Sequence, residues 1–115
     1  MDLSSEPIHP GIADTAPLTR REIAGLLPEV PDWSLVGGRL SARFACREFA
    51  DAARLVHEIA AFAMREGHLP DIGIHENRMV DVAWYTYAIG GLSKNDFIMA
   101  ARLSDRLRSR QAGTL

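Results

Sequence analysis

Two side chains in this sequence are of a type and setting that could do proton chemistry: His68, in "GHLPDI", and Asp96, in "GGLSKNDF". An imidazole titrates near neutrality and is the usual side chain for moving a proton at physiological pH. Each residue also has a plain structural reading. A histidine at a helix exit caps the last carbonyls, and an aspartate in a helix first turn is favoured by the helix dipole. His75 lies near His68, but no third ligand with usable spacing accompanies the pair, so no metal and no cofactor is expected. His57 falls within a helical stretch as a spectator, and nothing near Cys46 would activate its thiol. Trp84, Tyr85 and Tyr87 sit on a strand-like run. Residues two apart on a strand share a face, so the two tyrosines point together and Trp84 points into the core.

The elements that must position these residues are well signalled. "LTRREI" places Thr19 as an N-cap with Glu22 three residues on, a capping box, and Leu18 and Ile23 as its hydrophobic staple. That helix ends before Pro28. Strands are expected at 33–36 and 39–45, joined through Gly37-Gly38, because Leu40, Ala42 and Phe44 alternate with Arg39, Ser41 and Arg43. A long helix follows from Phe49 to the glycine stop at Gly67, with Phe49, Ala52, Ala53, Val56, Ile59, Ala60 and Ala63 as its apolar face. Residues 71–75 read as a short strand and Glu76-Asn77 as a turn. Residues 78–88 form the strongest strand, with Val80, Val82 and Trp84 on one face. Gly90-Gly91 breaks it, Ser93 caps the last helix with Asp96 at its third position, and that helix runs to about Arg108. Two hairpins imply an antiparallel sheet, and helices gathered on one face make an α+β two-layer sandwich in the order α-β-β-α-β-β-α. Val80, Val82, Trp84, Phe44, Val56, Ile59 and Phe97 are the expected core.

The 115 residues fit one domain, and 47% hydrophobic content fills a modest core. Residues 1–17 are rich in proline and polar side chains and read as a disordered or loosely docked arm, 18–108 as the domain, and 109–115 as a frayed tail. A net charge of −2, from 13 basic and 15 acidic side chains, gives no field for nucleic acid. The single cysteine excludes an intrachain disulfide, and no apolar leader or bilayer-length run is visible, so a cytoplasmic protein is expected. A short domain with strand edges to protect also predicts a homodimer or higher homo-oligomer.

The element order, "HLPDI" after the long helix and "GGLSKNDF" at the start of the last one resemble the pterin-4a-carbinolamine dehydratase family over about Leu18 to Leu107. The resemblance implies a four-stranded antiparallel sheet with helices on one face, assembled as dimers or tetramers. It also implies a site: a His-His-Pro with a glutamate four residues before the first histidine, a further histidine closing the last strand, and an aspartate in the last helix. His68, Pro70 and Asp96 match that pattern. Leu69 stands at the second histidine, Met64 at the glutamate and Tyr87 at the strand-end histidine. Leucine can neither deliver nor remove a proton, and a phenol near pKa 10 is a poor base at neutral pH.

The reduced set is similar to catalytically degenerate members of the family that assist Rubisco assembly in bacteria with α-carboxysomes, which also carry a lead arm. That resemblance implies a non-catalytic assembly factor with Rubisco subunits as partners and a location in the cytoplasm or beside the carboxysome. The alternative is a working dehydratase with an altered acid–base set of His68 and Asp96. A transcriptional dimerisation cofactor is a third reading, for which nothing marks a partner helix. If the protein acts by binding, the expected surface is the sheet face away from the helices, with Arg39, Arg43, Arg78, Asp81, Tyr85 and Tyr87.

Overall fold

The computed structural model describes residues 2–11 and 15–114, with only the backbone for residues 110–114. Helix α1 (Arg20–Leu26) opens on the expected capping box: Thr19 accepts from the Glu22 amide, and Glu22 accepts from the Thr19 amide. The chain tightens into a 3-10 turn at Leu27–Glu29, where Pro28 withholds the amide an α-helix would need. Strands β1 (Ser34–Val36) and β2 (Arg39–Ala45) follow, joined by Gly37 and Gly38 at φ 58° and 78°. Helix α2 (Phe49–Glu66) ends at Gly67, which takes the left-handed conformation at φ 80°. Strands β3 (Asp71–His75) and β4 (Met79–Trp84) form the second hairpin, and α3 (Lys94–Thr114) closes the fold. Glu76 and Asn77 turn that hairpin with positive φ.

All strand pairings are antiparallel, in the order β1-β2-β4-β3. Leu40, Ala42 and Phe44 stand opposite Trp84, Val82 and Val80, and Ile72 and Ile74 lie opposite Val82 and Val80 on the other side. These residues form the helix-facing side of the sheet. Val80, Val82, Trp84, Ile59 and Phe97 are buried as expected, whereas Phe44 and Val56 are only half-buried.

Four sequence expectations need correction. The α2 core face is Ala52, Leu55, Ile59, Phe62 and Ala63, while Phe49 and Ala53 are exposed. Apolar residues cover so much of α2 that two orientations fit the pattern, and the one that buries Leu55 and Phe62 removes more area from water. The last strand ends at Trp84, not at position 88; Thr86 then bridges to Gly91, and Tyr87–Ile89 form a 3-10 turn. Helix α3 continues to Thr114, so most of the expected frayed tail is helical.

The fourth correction concerns the arm, of which residues 12–14 lie outside the described residues. Residues 2–11 are docked rather than disordered, because Leu3 is buried in the core. The Arg102 guanidinium donates to the Ser4 and Glu6 carbonyls, and the Asn95 side chain pairs with both backbone groups of His9. The arm thus runs antiparallel along α3. With the sheet on its other side, α3 is buried all round from Asn95 to Ala100. Composition registers the arm's polar content and misses the single leucine that anchors it.

A long-range polar contact ties the start of β1 to α3. The Trp33 indole donates to Ser104 Oγ at 2.8 Å in a buried setting. Ser104→Ala leaves that donor without an acceptor and is expected to cost about 1–3 kcal/mol in urea denaturation.

Candidate functional site

Three chain segments meet at the top of α3. Gly67 ends α2 by turning the chain sharply, and the next residue, His68, lies on the short link into β3. The Thr86 amide donates to the Gly91 carbonyl at 3.0 Å, closing a small loop that sets Thr86 beside Ser93. Ser93 precedes α3, and Asp96 falls in its first turn.

Asp96 is fully buried and its carboxylate is well satisfied. Oδ2 accepts from the Ser93 amide at 2.9 Å and from the Thr86 hydroxyl at 2.7 Å, and Oδ1 lies 2.7 Å from His68 Nε2. Thr86 and Ser93 hydroxyls are themselves 2.7 Å apart. Burial of a carboxylate is tolerable only with such partners. The sequence reading favoured carbonyl capping for His68; the ring turns to Asp96 instead. It stacks on Trp84 at 6.0 Å between centroids, tilted by 17°, and its side chain keeps 12% exposure. The result is an imidazole held by a buried carboxylate through one nitrogen, with Nδ1 as the atom left for a ligand. Trp84 Nε1 is buried with no acceptor among the described residues, a cost of about 1–3 kcal/mol carried at the centre of the site.

The other positions matched to the family pattern do not join this pair. Met64 and Leu69 are exposed and apolar. Tyr87 donates from its hydroxyl to Asp71 Oδ2 at 2.6 Å and accepts from Arg39 at 2.9 Å. The hydrogen bond to the Asp71 carboxylate raises the phenol above its ordinary value, with desolvation adding to it. That leaves even less of Tyr87 as the phenolate at neutral pH. Thr86 had no sequence signal beyond standing between two tyrosines, and its part in holding Asp96 emerges only from the loop geometry.

Arg39, Arg43, Asp81, Tyr85 and Tyr87 fall together on the sheet face away from the helices. Arg39 lies over the Tyr85 ring at 4.3 Å, and Tyr85 meets Tyr87 edge-on at 5.0 Å. Further along, Arg43 grips Asp81 with two bonds of 2.6 and 2.9 Å, with Glu76 3.5 Å from Arg43 and His75 3.4 Å from Asp81. Between them is a trough of about 610 Å³ over Ser41, Ala83 and Gly73. Arg78 stands apart at the hairpin end, donating to the Cys46 carbonyl at 3.3 Å.

The Arg43 hydrogen bond lowers the Asp81 pKa. A depressed carboxylate stabilises the fold above its unfolded pKa, and the contribution is lost as pH falls through the folded value. Arg43→Ala is therefore expected to flatten the acid limb of a stability–pH curve, leaving no difference from the parent once Asp81 is protonated in both. Among the described residues no group of three metal-ligating side chains occurs, and no helix is long and apolar enough to cross a membrane.

An antiparallel four-stranded sheet backed by helices, with one imidazole–carboxylate pair where the last helix begins, defines the class of protein. The family model described as pterin 4 alpha carbinolamine dehydratase matches residues 16–106, and the chain belongs to that family. A protein of Microcystis aeruginosa, provisionally named a pterin-4-alpha-carbinolamine dehydratase, is 34% identical over 96% of this chain and 98% of its own length. A Stenotrophomonas maltophilia protein with the same provisional name is 42% identical over 76% of each chain. The crystal structure of a Brucella melitensis protein described as a transcriptional coactivator/pterin dehydratase superposes with a TM-score of 0.66 at 25% identity, covering 77% of this chain and 96% of that one.

Proposed function

We propose that this chain is a catalytically reduced member of its family that acts by binding a protein partner. The observation that carries the reading is the Tyr87 hydroxyl, bonded to Asp71 and Arg39 instead of standing with His68. Only the His68–Asp96 pair then remains for proton transfer, where the family pattern has several groups. The partner implied by the sequence resemblance is Rubisco, and the candidate surface is the trough side of the sheet. Its paired arginines and tyrosines are of the types that anchor interfaces. Co-expression with Rubisco large and small subunits tests this, with assembled enzyme as the readout. Tyr85→Ala with Arg43→Ala is expected to leave the fold intact and lower the yield of assembled Rubisco. Unchanged yield with the double variant removes this surface from consideration, and unchanged yield without the chain removes the Rubisco reading. Strands β1 and β3 are the sheet edges, and their pairing across a two-fold axis would make the expected homodimer.

A second reading is favoured by one observation. The His68–Asp96 bond of 2.7 Å is a competent acid–base pair, and relatives 34% and 42% identical carry dehydratase names. Turnover of a 4a-hydroxy-tetrahydropterin separates the two.

A further inference from the structure

We propose that the N-terminal arm is a clamp on the candidate site, holding His68 against Asp96 from a distance. Residues 2–11 precede the family match, which starts at residue 16, so the arm lies outside the matched domain, although the Microcystis relative aligns over nearly the whole chain. Its anchors fall on α3, which carries Asp96, and reach α2, which leads to His68, through Arg102. From α3, Lys94 lies 3.0 Å from Glu6, and Asn95 exchanges two hydrogen bonds with the His9 backbone, at 2.8 and 3.1 Å. These are the two residues that precede Asp96. From α2, Glu66 stands two residues before His68 and is bound by Arg102. The same Arg102 guanidinium holds the Ser4 and Glu6 carbonyls.

Arg102 is therefore a junction. It is largely buried and joins the arm, the C-terminal end of α2 and the middle of α3. Its five donors in a rigid fork suit it to three partners at once, as a lysine would not be. The link from Glu66 to His68 passes only through Gly67, which is held in the left-handed conformation with its amide on the Ala63 carbonyl. Where Glu66 is held therefore sets where the His68 backbone starts. Release of the arm removes two acceptors from Arg102, the partners of Asn95 and the counter-charge of Lys94. Arg102 then keeps Glu66 as a partner, but its own guanidinium is no longer fixed by the arm's carbonyls, so it holds the end of α2 less rigidly. Arg102, Asn95 and Lys94 are positioning residues on this account, and the arm is a switch that any partner able to bind residues 3–9 would throw.

The test reads the His68 ring directly and needs no ligand. Diethyl pyrocarbonate modifies accessible, unprotonated imidazoles, and peptide mass spectrometry separates His68 from His57, which is exposed on α2 and serves as the internal reference. Leu3→Asp places a charge at a buried anchor and drives the arm off; hydrogen exchange at the first turns of α3 reports its release. Arg102→Met keeps the aliphatic packing of the stem and cuts the junction without displacing Leu3. Both variants are expected to raise the His68/His57 rate ratio about tenfold or more, equivalent to ~1.4 kcal/mol in the opening equilibrium. Val80→Ala, in the sheet core opposite Phe44 and Ile74 and away from both the arm and Trp84, is the control for general loosening. An unchanged ratio in Arg102→Met overturns the clamp whatever Leu3→Asp does. So does an unchanged ratio in Leu3→Asp with the arm shown to be released, or an equal rise in Val80→Ala.

Discussion

Asp96→Ala is expected to destabilise the fold by about 3–5 kcal/mol, because it removes the common acceptor of a buried hydrogen-bond network. The side chain has no exposure, and three donors converge on it: the Ser93 amide, the Thr86 hydroxyl and the His68 ring. Alanine leaves the Ser93 amide and the His68 ring without this acceptor, while the Thr86 hydroxyl can turn to Ser93 Oγ, 2.7 Å away; each unmet buried group costs about 1–3 kcal/mol. Partial relaxation and entry of water keep the sum from being reached. Asp96→Asn is the informative partner variant. Its amide oxygen still accepts from Ser93 and Thr86, and its NH2 group can donate to a His68 ring in the matching tautomer, so its loss should be clearly smaller than that of alanine. Urea denaturation of the three proteins measures both differences. A small domain has about 5–15 kcal/mol in total, so the alanine variant should lose a large share of it. A loss under about 1 kcal/mol, typical of an exposed surface substitution, would mean that the carboxylate network contributes little to folding.

The parts of this fold that were legible in the sequence are those fixed by local chemistry. The Thr19–Glu22 box, the Gly37-Gly38 turn and the Gly67 stop each depend on residues within a few positions of one another. The hairpins followed from alternation, and Val80, Val82 and Trp84 did face the core. What was not legible depends on partners far apart in the chain. The docking of Leu3 and residues 4–9 rests on α3, some ninety positions away. The choice between the two apolar faces of α2 depends on the sheet it meets. The end of the last strand depends on Thr86 pairing with Gly91, which period-two alternation through Tyr85 and Tyr87 disguises. For the site, His68 and Asp96 were picked out separately by type, but the contact between them is a tertiary event 28 positions apart. Thr86 carried no signal, because a threonine between two tyrosines is ordinary in a strand-like run.

The wild-type protein is expected to turn over a 4a-hydroxy-tetrahydropterin far more slowly than a family member with the full histidine set, by about 10²–10⁴ for each acid–base group missing. Dehydration requires a proton delivered to the leaving hydroxyl and another taken from ring nitrogen. His68 has its carboxylate and can serve once. Among the described residues no second titratable side chain is bonded to this pair. Leu69 has no titratable atom, and Tyr87 is drawn to the outer side of the sheet, where Asp71 raises its pKa and Arg39 donates to it. To act as a base Tyr87 would have to leave both partners and then lose a proton from a phenol shifted away from neutrality. Steady-state turnover beside a relative with an intact His-His-Pro is the measurement. A rate within tenfold of that relative sinks the binding reading and makes His68 and Asp96 a sufficient catalytic set. Leu69→His combined with Tyr87→His tests the same point from the other direction. Both positions are exposed, so neither imidazole has to be fitted into the core, and the double variant should fold. A gain in its turnover over the parent would show that the pocket retained its shape while the acid–base groups were lost. No gain, with the fold intact, would place the loss in the pocket itself.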